Sequence, residues 1–103
     1  MKQYTIVTVG SAVQDIMFKT NQAELLVNPK PDPAKLKLIG FEYGAKVRSA
    51  DVEFLFGGGA ANTAVVLAKL GVRAATLLRV GSDATGQAVG RELKKHKVDR
   101  SLV

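Results

Sequence analysis

The sequence predicts an α/β fold that carries a β appendage. Three observations support this prediction: a segment near the N-terminus rich in β-branched residues, two later segments with helical patterning, and a strand-like segment between those two. A long stretch of short strand-like segments separates the first strand from the first helix. Because 103 residues make at most one small domain, this stretch cannot build a large core of its own.

The first predicted strand covers residues 4–10. Its side chains are mostly β-branched, and it stops at Gly10. Open α/β sheets bind ligands at the carboxyl ends of their strands, so Asp15, five residues beyond this glycine, is the first candidate binding residue. An aspartate in this position is also typical of an exposed turn or a cap.

The next segment, about 16–56, is predicted to be an excursion from the core. Residues 21–35 contain all three prolines, and this spacing predicts a loop. Two or three short antiparallel strands are predicted over 36–56, around 36–39, 46–48 and 52–56. Such a ribbon buries too little surface alone, so it must cover another part of the protein or pair with another chain.

A glycine run, Gly57-Gly58-Gly59, precedes the first predicted helix, which covers residues 60–70 and is closed by Gly71. Glycines before a helix N-terminus let backbone N–H groups approach an oxygen-rich ligand, although they are equally typical of a flexible joint. Asn62, in the first turn of this mostly apolar helix, is either a ligand-binding amide or a local cap.

The last part of the chain predicts a strand, a helix and the start of another strand. The strand covers residues 73–80. The helix runs from about 84 to 97, with Ser82 or Asp83 as its cap, and an apolar stripe faces a basic side. Residues 98–103 are predicted to begin the next strand.

The composition excludes several classes of site. The chain has no cysteine, which excludes disulfides and thiolate chemistry, and its single histidine, His96, cannot form a zinc-binding histidine cluster. No apolar run approaches the roughly 20 residues of a membrane-spanning helix. The N-terminus leads into a strand rather than a signal peptide, so we expect a cytoplasmic protein that does not use a membrane.

The net charge of +6 arises mainly in residues 61–103, which carry eight Lys or Arg against three Asp or Glu. Five of these cations lie between Arg91 and Arg100. Such a cluster can attract nucleic acid or a phosphorylated molecule, and it is also typical of an exposed helix face. Because no aromatic residue lies among the cations to stack on a base, the pattern does not favour nucleic-acid binding.

Together these motifs resemble the N-terminal signature of the ribokinase (PfkB) family of carbohydrate kinases. The matching segments are Gly57-Gly58-Gly59-Ala60-Ala61-Asn62-Thr63-Ala64, Leu67-Ala68-Lys69-Leu70-Gly71, and Val80-Gly81-Ser82-Asp83 with Gly86. The resemblance implies the N-terminal part of a ribokinase-like, Rossmann-like three-layer fold over residues 1–103. In that fold, residues 4–10 and 57–103 belong to the core, and about 16–56 form a protruding β-sheet lid.

The resemblance also implies an activity: ATP-dependent phosphoryl transfer, with Mg²⁺, to a hydroxymethyl group of a sugar or nucleoside. Carried over by position, Asp15 and Asn62 hold substrate hydroxyls, and Gly57 and Gly58 form the hinge that lets the lid close and brings amides to the substrate. Gly59 completes the expected set of substrate-binding residues. Gly59 stands where many sugar kinases of the family have a lysine, which leaves the substrate open. Asp83 is expected to cap a helix rather than to take part in chemistry.

The chain also departs from the family. Family members are much longer and carry a Gly-Ala-Gly-Asp motif that supplies the general base and an anion hole, and this motif is missing here. We therefore expect a truncated region that binds neither ATP nor Mg²⁺ fully, has no catalytic or metal-binding residue, and is inactive alone.

The alternative function is a noncatalytic, self-associating β-lid module. It would form a homodimer through aromatic side chains of the ribbon that we expect to be exposed, which are Phe41, Tyr43, Phe54 and Phe56.

Overall fold

The computed structural model describes residues 3–103, which form two compact units. The first unit contains the described residues up to Ile16 together with Phe54–Val103, and the second contains Met17–Glu53. The boundaries fall inside two paired strands, β2 (Val13–Lys19) and β5 (Asp51–Gly57).

The first unit contains a parallel strand pair. Strand β1 (Ile6–Val9) pairs with β6 (Ala74–Leu77), with Ile6 opposite Ala74. A parallel pair requires a crossover connection, and here helix α1 (Gly59–Lys69) lies on that connection and contacts both strands. This arrangement brings the carboxyl end of β1 and the N-terminus of α1 into the same unit.

The core of the first unit lies between α1, β6 and helix α2 (Ala84–Lys95). Alanine side chains of α1 allow close packing of backbone against backbone. The buried apolar residues that form this cluster are Ala60, Ala61, Ala64, Leu78, Val89, Leu93 and Val98. The side chain of Phe56 packs against them, so the expectation that this aromatic is exposed with the other three is wrong.

A buried pair of hydroxyl groups joins the strands to α1. Thr8 Oγ1 donates to the carbonyl oxygen of Ala60 at 2.9 Å and lies 3.0 Å from Oγ1 of Thr76. Thr76 has no exposed surface, and Thr8 is 9% exposed. Buried hydroxyls need such partners, and these two meet that need between neighbouring strands and the helix start.

The glycine and cap predictions for both helices are confirmed. Helix α1 is followed by Gly71, whose φ of 83° is in the left-handed region. At the start of α2, Oδ1 of Asp83 accepts the N–H of Gly86 at 2.9 Å. A Cβ on Gly86 would overlap the carbonyl oxygen of Gly81, so this turn requires glycine.

The second unit is a β structure without a core. Strand β3 (Glu24–Val27) pairs antiparallel with β4 (Lys37–Gly40), with Leu25 opposite Ile39. No residue of Met17–Glu53 is buried.

Several strand predictions need correction. Strands β2 and β3 are additional to the predicted ones, and β3 lies inside the segment predicted as a loop. Residues 46–48 form no strand, and the Arg48 N–H donates to the Gln22 side-chain oxygen. Residues 98–103 also form no strand, and only an isolated parallel bridge joins Asp99 to Ala75. In residues 3–103, neither helix is long and apolar enough to cross a membrane.

Candidate functional site

The candidate site is centred on the glycine turn between β5 and α1. Gly57 is buried at the end of β5, and Gly58 precedes the first helical residue with a φ of 96°. A Cβ on Gly58 would meet the carbonyl oxygen of Ser11 and would lie 2.7 Å from Cα of Ala12. Both the backbone angle and the close approach therefore require glycine at this position.

Gly57 faces the two polar residues that the sequence singles out. A Cβ built on Gly57 would lie 3.2 Å from Oδ2 of Asp15 and 3.9 Å from Nδ2 of Asn62. Although 47 positions separate these residues, the structure brings the carboxylate and the amide to one point at the end of β5. Because glycine has no side chain, the carboxylate and the amide can both come close to the backbone of Gly57.

The two side chains are available to a ligand. Asp15 and Asn62 are both exposed, and neither side chain makes a hydrogen bond or ion pair with another residue of the described chain. No side chain caps α1, so the interpretation of Asn62 as a local cap is wrong. The backbone of Asn62 instead makes the ordinary first helical bond, its N–H donating to the carbonyl of Gly58 at 2.9 Å.

Gly59 differs from its two neighbours. No atom lies within 4 Å of a Cβ built on it, and its φ is not in the left-handed region. It is the first residue of α1 and is exposed. A Cβ atom at this position meets no other part of the fold.

The arrangement suits a neutral ligand with several hydroxyl groups. Asp15 supplies a charged acceptor, and Asn62 supplies both a donor and an acceptor. The N–H groups of Gly59, Ala60 and Ala61 have no carbonyl within α1 to donate to. That of Ala61 donates to the carbonyl of Ser11 at 3.3 Å, and those of Gly59 and Ala60 have no partner among residues 3–103. The helix start therefore adds donors beside the two side chains.

Two further titratable residues, Glu92 and His96, lie beside the glycine turn. Nε2 of His96 is 3.0 Å from Oε1 of Glu92, one helical turn earlier in α2. Both line a cavity that also touches Gly57 and Asn62. The i, i+4 spacing of Glu92 and His96 is visible in the sequence, but the packing of α2 beside the glycine turn is not.

Some cations of the basic cluster, residues 91–100, make contacts within the fold. Arg100 Nη1 donates to the carbonyl of Gly90 at 3.0 Å, and Lys95 Nζ lies 4.0 Å from Oε2 of Glu92. In the described residues, no group of three or more carboxylate or imidazole side chains could hold a metal ion.

Two comparisons with known proteins bear on this geometry. The family model described as pfkB family carbohydrate kinase matches residues 5–103. The chain belongs to this family. The ribokinase-like α/β fold predicted from the sequence is confirmed by a similar solved structure, the nucleoside kinase of Methanocaldococcus jannaschii, an archaeal member of the ribokinase family, with a TM-score of 0.60 and 28% sequence identity.

The similarity covers 93% of this pfkB-family chain and 26% of the archaeal kinase chain, so the chain spans about a quarter of that protein. No curated protein matches the chain.

Proposed function

We propose that this chain supplies the substrate-binding part of an ATP-dependent kinase that phosphorylates a hydroxymethyl group of a sugar or nucleoside. The observation that carries the proposal is the convergence of Asp15 and Asn62 beside Gly57. Membership of the pfkB family and the similarity to a nucleoside kinase support the reaction and the substrate class.

In this proposal, each residue has a role that its chemistry permits. Asp15 accepts hydrogen bonds from one or two substrate hydroxyls, and Asn62 both donates and accepts. Gly57 lets both side chains come close to the backbone, and Gly58 holds the turn at which the amides of Gly59 and the following residues begin α1. None of these groups is a base for the reacting hydroxyl, and we assign no catalytic residue in this chain.

The family implies ATP and Mg²⁺ for the phosphoryl transfer. Residues 3–103 contain no group of three carboxylate or imidazole side chains that could hold a metal ion, and the roles of Asp15, Asn62 and the glycine turn involve neither ATP nor Mg²⁺.

We predict that the 103 residues alone release no ADP with sugars or nucleosides, because positioning and charge stabilisation at the γ-phosphate need groups that this chain lacks. Substrate-dependent ADP release that Asp15→Asn abolishes would contradict this prediction.

A cytoplasmic location of the protein remains a prediction.

The binding role is tested by titrating the 103-residue chain with D-ribose, D-fructose and adenosine, monitored by amide NMR shifts. We expect one probe to shift the signals of Gly57, Gly58 and Asn62. Asp15→Asn should weaken that binding by about 1.5–3 kcal/mol, as expected for a hydrogen bond to a charged group.

The matched control is Asp51→Asn, which changes an exposed aspartate of β5 in the other unit. Equal effects of the two substitutions, or no shift with any probe, would reject the proposed site. For Asn62→Ala, the control is Gln87→Ala, another exposed amide on a helix.

A second candidate role is self-association through the second unit, Met17–Glu53. From this point on the word lid denotes residues 17–53 alone and makes no claim that they close over a ligand. Its complete lack of buried residues favours this role, since its apolar side chains remain largely exposed, for example Val27 at 81% and Ile39 at 68%. Pairing of two lids would bury such side chains in a homodimer. Sedimentation velocity tests this: Ile39→Lys should shift a dimer to monomer, and a strictly monomeric intact chain at high concentration would rule it out.

A further inference from the structure

A cavity of about 80 Å³ lies between the two helices of the first unit, beside the candidate site. Much of its wall is apolar and includes Val65 from α1 and Val89 and Leu93 from α2. Gly57 and Asn62 also line it. The cavity and the candidate site therefore share two residues, and a ligand held at Asn62 lies next to the cavity.

The titratable residues of this wall are Glu92 and His96. They are bonded to each other, with Nε2 of His96 3.0 Å from Oε1 of Glu92. Their side chains are 32% and 23% exposed, so both are largely withdrawn from solvent. The other carboxylate oxygen of Glu92 lies 4.0 Å from Nζ of Lys95, outside hydrogen-bond distance.

The remaining hydrogen-bonding capacity of Glu92 is for accepting. The carboxylate of Glu92 has acceptor sites only, and one bond from His96 leaves several of them unused. A hydroxyl or amino group therefore suits the pair, whereas a carboxylate or phosphate is repelled by Glu92.

The size of the cavity limits what enters it. Its volume of about 80 Å³ is smaller than the roughly 150 Å³ of an apolar cavity that holds one benzene ring. It therefore holds a substituent of a few non-hydrogen atoms and not a second ring. The apolar wall favours the carbon part of such a substituent, and the Glu92–His96 pair favours its polar end.

We infer that this cavity is a specificity pocket for a hydroxyl- or amino-bearing substituent of the substrate, with the Glu92–His96 pair as the acceptor. The inference rests on the proposed function, because Asp15 and Asn62 must hold the ligand beside the cavity. It assigns to α2 a part in substrate choice that the glycine turn alone does not provide.

The test compares two pairs of probes that differ in one donor group: adenosine with purine riboside, and D-glucosamine with 2-deoxy-D-glucose. Each is titrated into the 103-residue chain and followed by NMR. In at least one pair, the probe with the amino group should bind about tenfold more tightly and should alone shift the methyl signals of Val89 and Leu93. Glu92→Gln should reduce this preference to less than threefold without weakening the probe that lacks the group.

Two further variants guard against misinterpretation. His96→Gln should reduce the same preference, and thermal unfolding confirms that each variant is folded. The matched control is Glu24→Gln, an exposed glutamate of β3 in the lid, which should leave the preference unchanged. Equal affinities within both pairs, or a preference that survives Glu92→Gln, would overturn the inference.

Failure of the inference is distinguishable from failure of the proposed function. If Asp15→Asn weakens both members of a pair while Glu92→Gln changes nothing, the binding site stands and the specificity pocket is wrong. If none of the four probes binds, or if Asp15→Asn affects none of them, the proposed function is wrong and the inference falls with it.

Discussion

The two units of this chain differ in how much side-chain surface they bury. The first unit contains a cluster of buried apolar residues and a buried hydroxyl pair between Thr8 and Thr76. The lid contains no buried residue, although it has a regular antiparallel pairing of β3 with β4. Backbone pairing alone thus produces strands in the lid, whereas burial gives the first unit its stability.

This difference separates two contributions to the candidate site. Gly57, Gly58 and Asn62 lie in the unit with a core, so the proposed binding groups are held by packed elements. The lid has only hydrogen bonds and exposed contacts to hold its shape. We expect the site to keep its geometry under conditions in which the lid loses its strands.

Amide hydrogen exchange should show the largest contrast between the units. The amides of β1 and β6 should exchange only on global unfolding, because a buried core must open first. Those of β3 and β4 should exchange orders of magnitude faster, through local opening that exposes no new core. NMR-detected exchange at neutral pH measures both. Equal protection in the two units would show that the lid is stabilised by contacts with another molecule.

The next largest contrast between the units is expected in the free energy of unfolding when one leucine of each unit is truncated to alanine. Leu93 is 2% exposed in the first unit, and Leu25 is 67% exposed in the lid. Leu93→Ala should lower the free energy of unfolding by about 3 kcal/mol through lost burial and a new cavity. Leu25→Ala should change it by less than about 0.5 kcal/mol. Urea denaturation followed by circular dichroism compares them, and similar losses in the two variants would contradict the contrast.

Two neighbouring glycines of the candidate site sharpen the comparison within the first unit. Gly58→Ala should destabilise the fold by about 2–3 kcal/mol, because a positive φ and contacts with Ser11 and Ala12 both oppose a side chain. Gly59→Ala should instead stabilise it by about 0.5 kcal/mol, since nothing lies within 4 Å. Thermal unfolding distinguishes the two, and a tolerated Gly58→Ala would show that the turn adapts.

The smallest difference in unfolding free energy between a variant and its control is expected at the start of α2. Asp83→Ala removes the bond to the Gly86 N–H and should lower the free energy of unfolding by about 1 kcal/mol. Ser82→Ala is the control, because Ser82 is exposed and makes no bond to this helix start. If both variants unfold at the same urea concentration, Asp83 does not stabilise the helix.

The helices and their ends were predictable because local chemistry determines them. Asp83 as a cap and Gly71 as a stop follow from rules that need only neighbouring residues. The errors lie in the lid, where neither burial nor a strong local signal marks the strands. Strand β3 (Glu24–Val27) precedes all three prolines, but its proximity to them made the whole segment resemble a loop.

The candidate site was partly predictable. Sheet topology alone suggested that Asp15 and Asn62 could meet at one sheet edge, and the structure places both beside Gly57. The cavity and the Glu92–His96 pair were not predictable, because they depend on how α2 packs against α1. No pattern within one helix contains that information.

The open space at Gly59 has a practical consequence. The natural chain contains no cysteine, so Gly59→Cys would introduce a unique thiol at the start of α1. Because no atom lies within 4 Å of the new Cβ, a fluorescent label attached there should not disturb the glycine turn. Its emission would then report occupancy of the neighbouring site directly, so that compound collections could be screened optically without any assay of phosphate transfer.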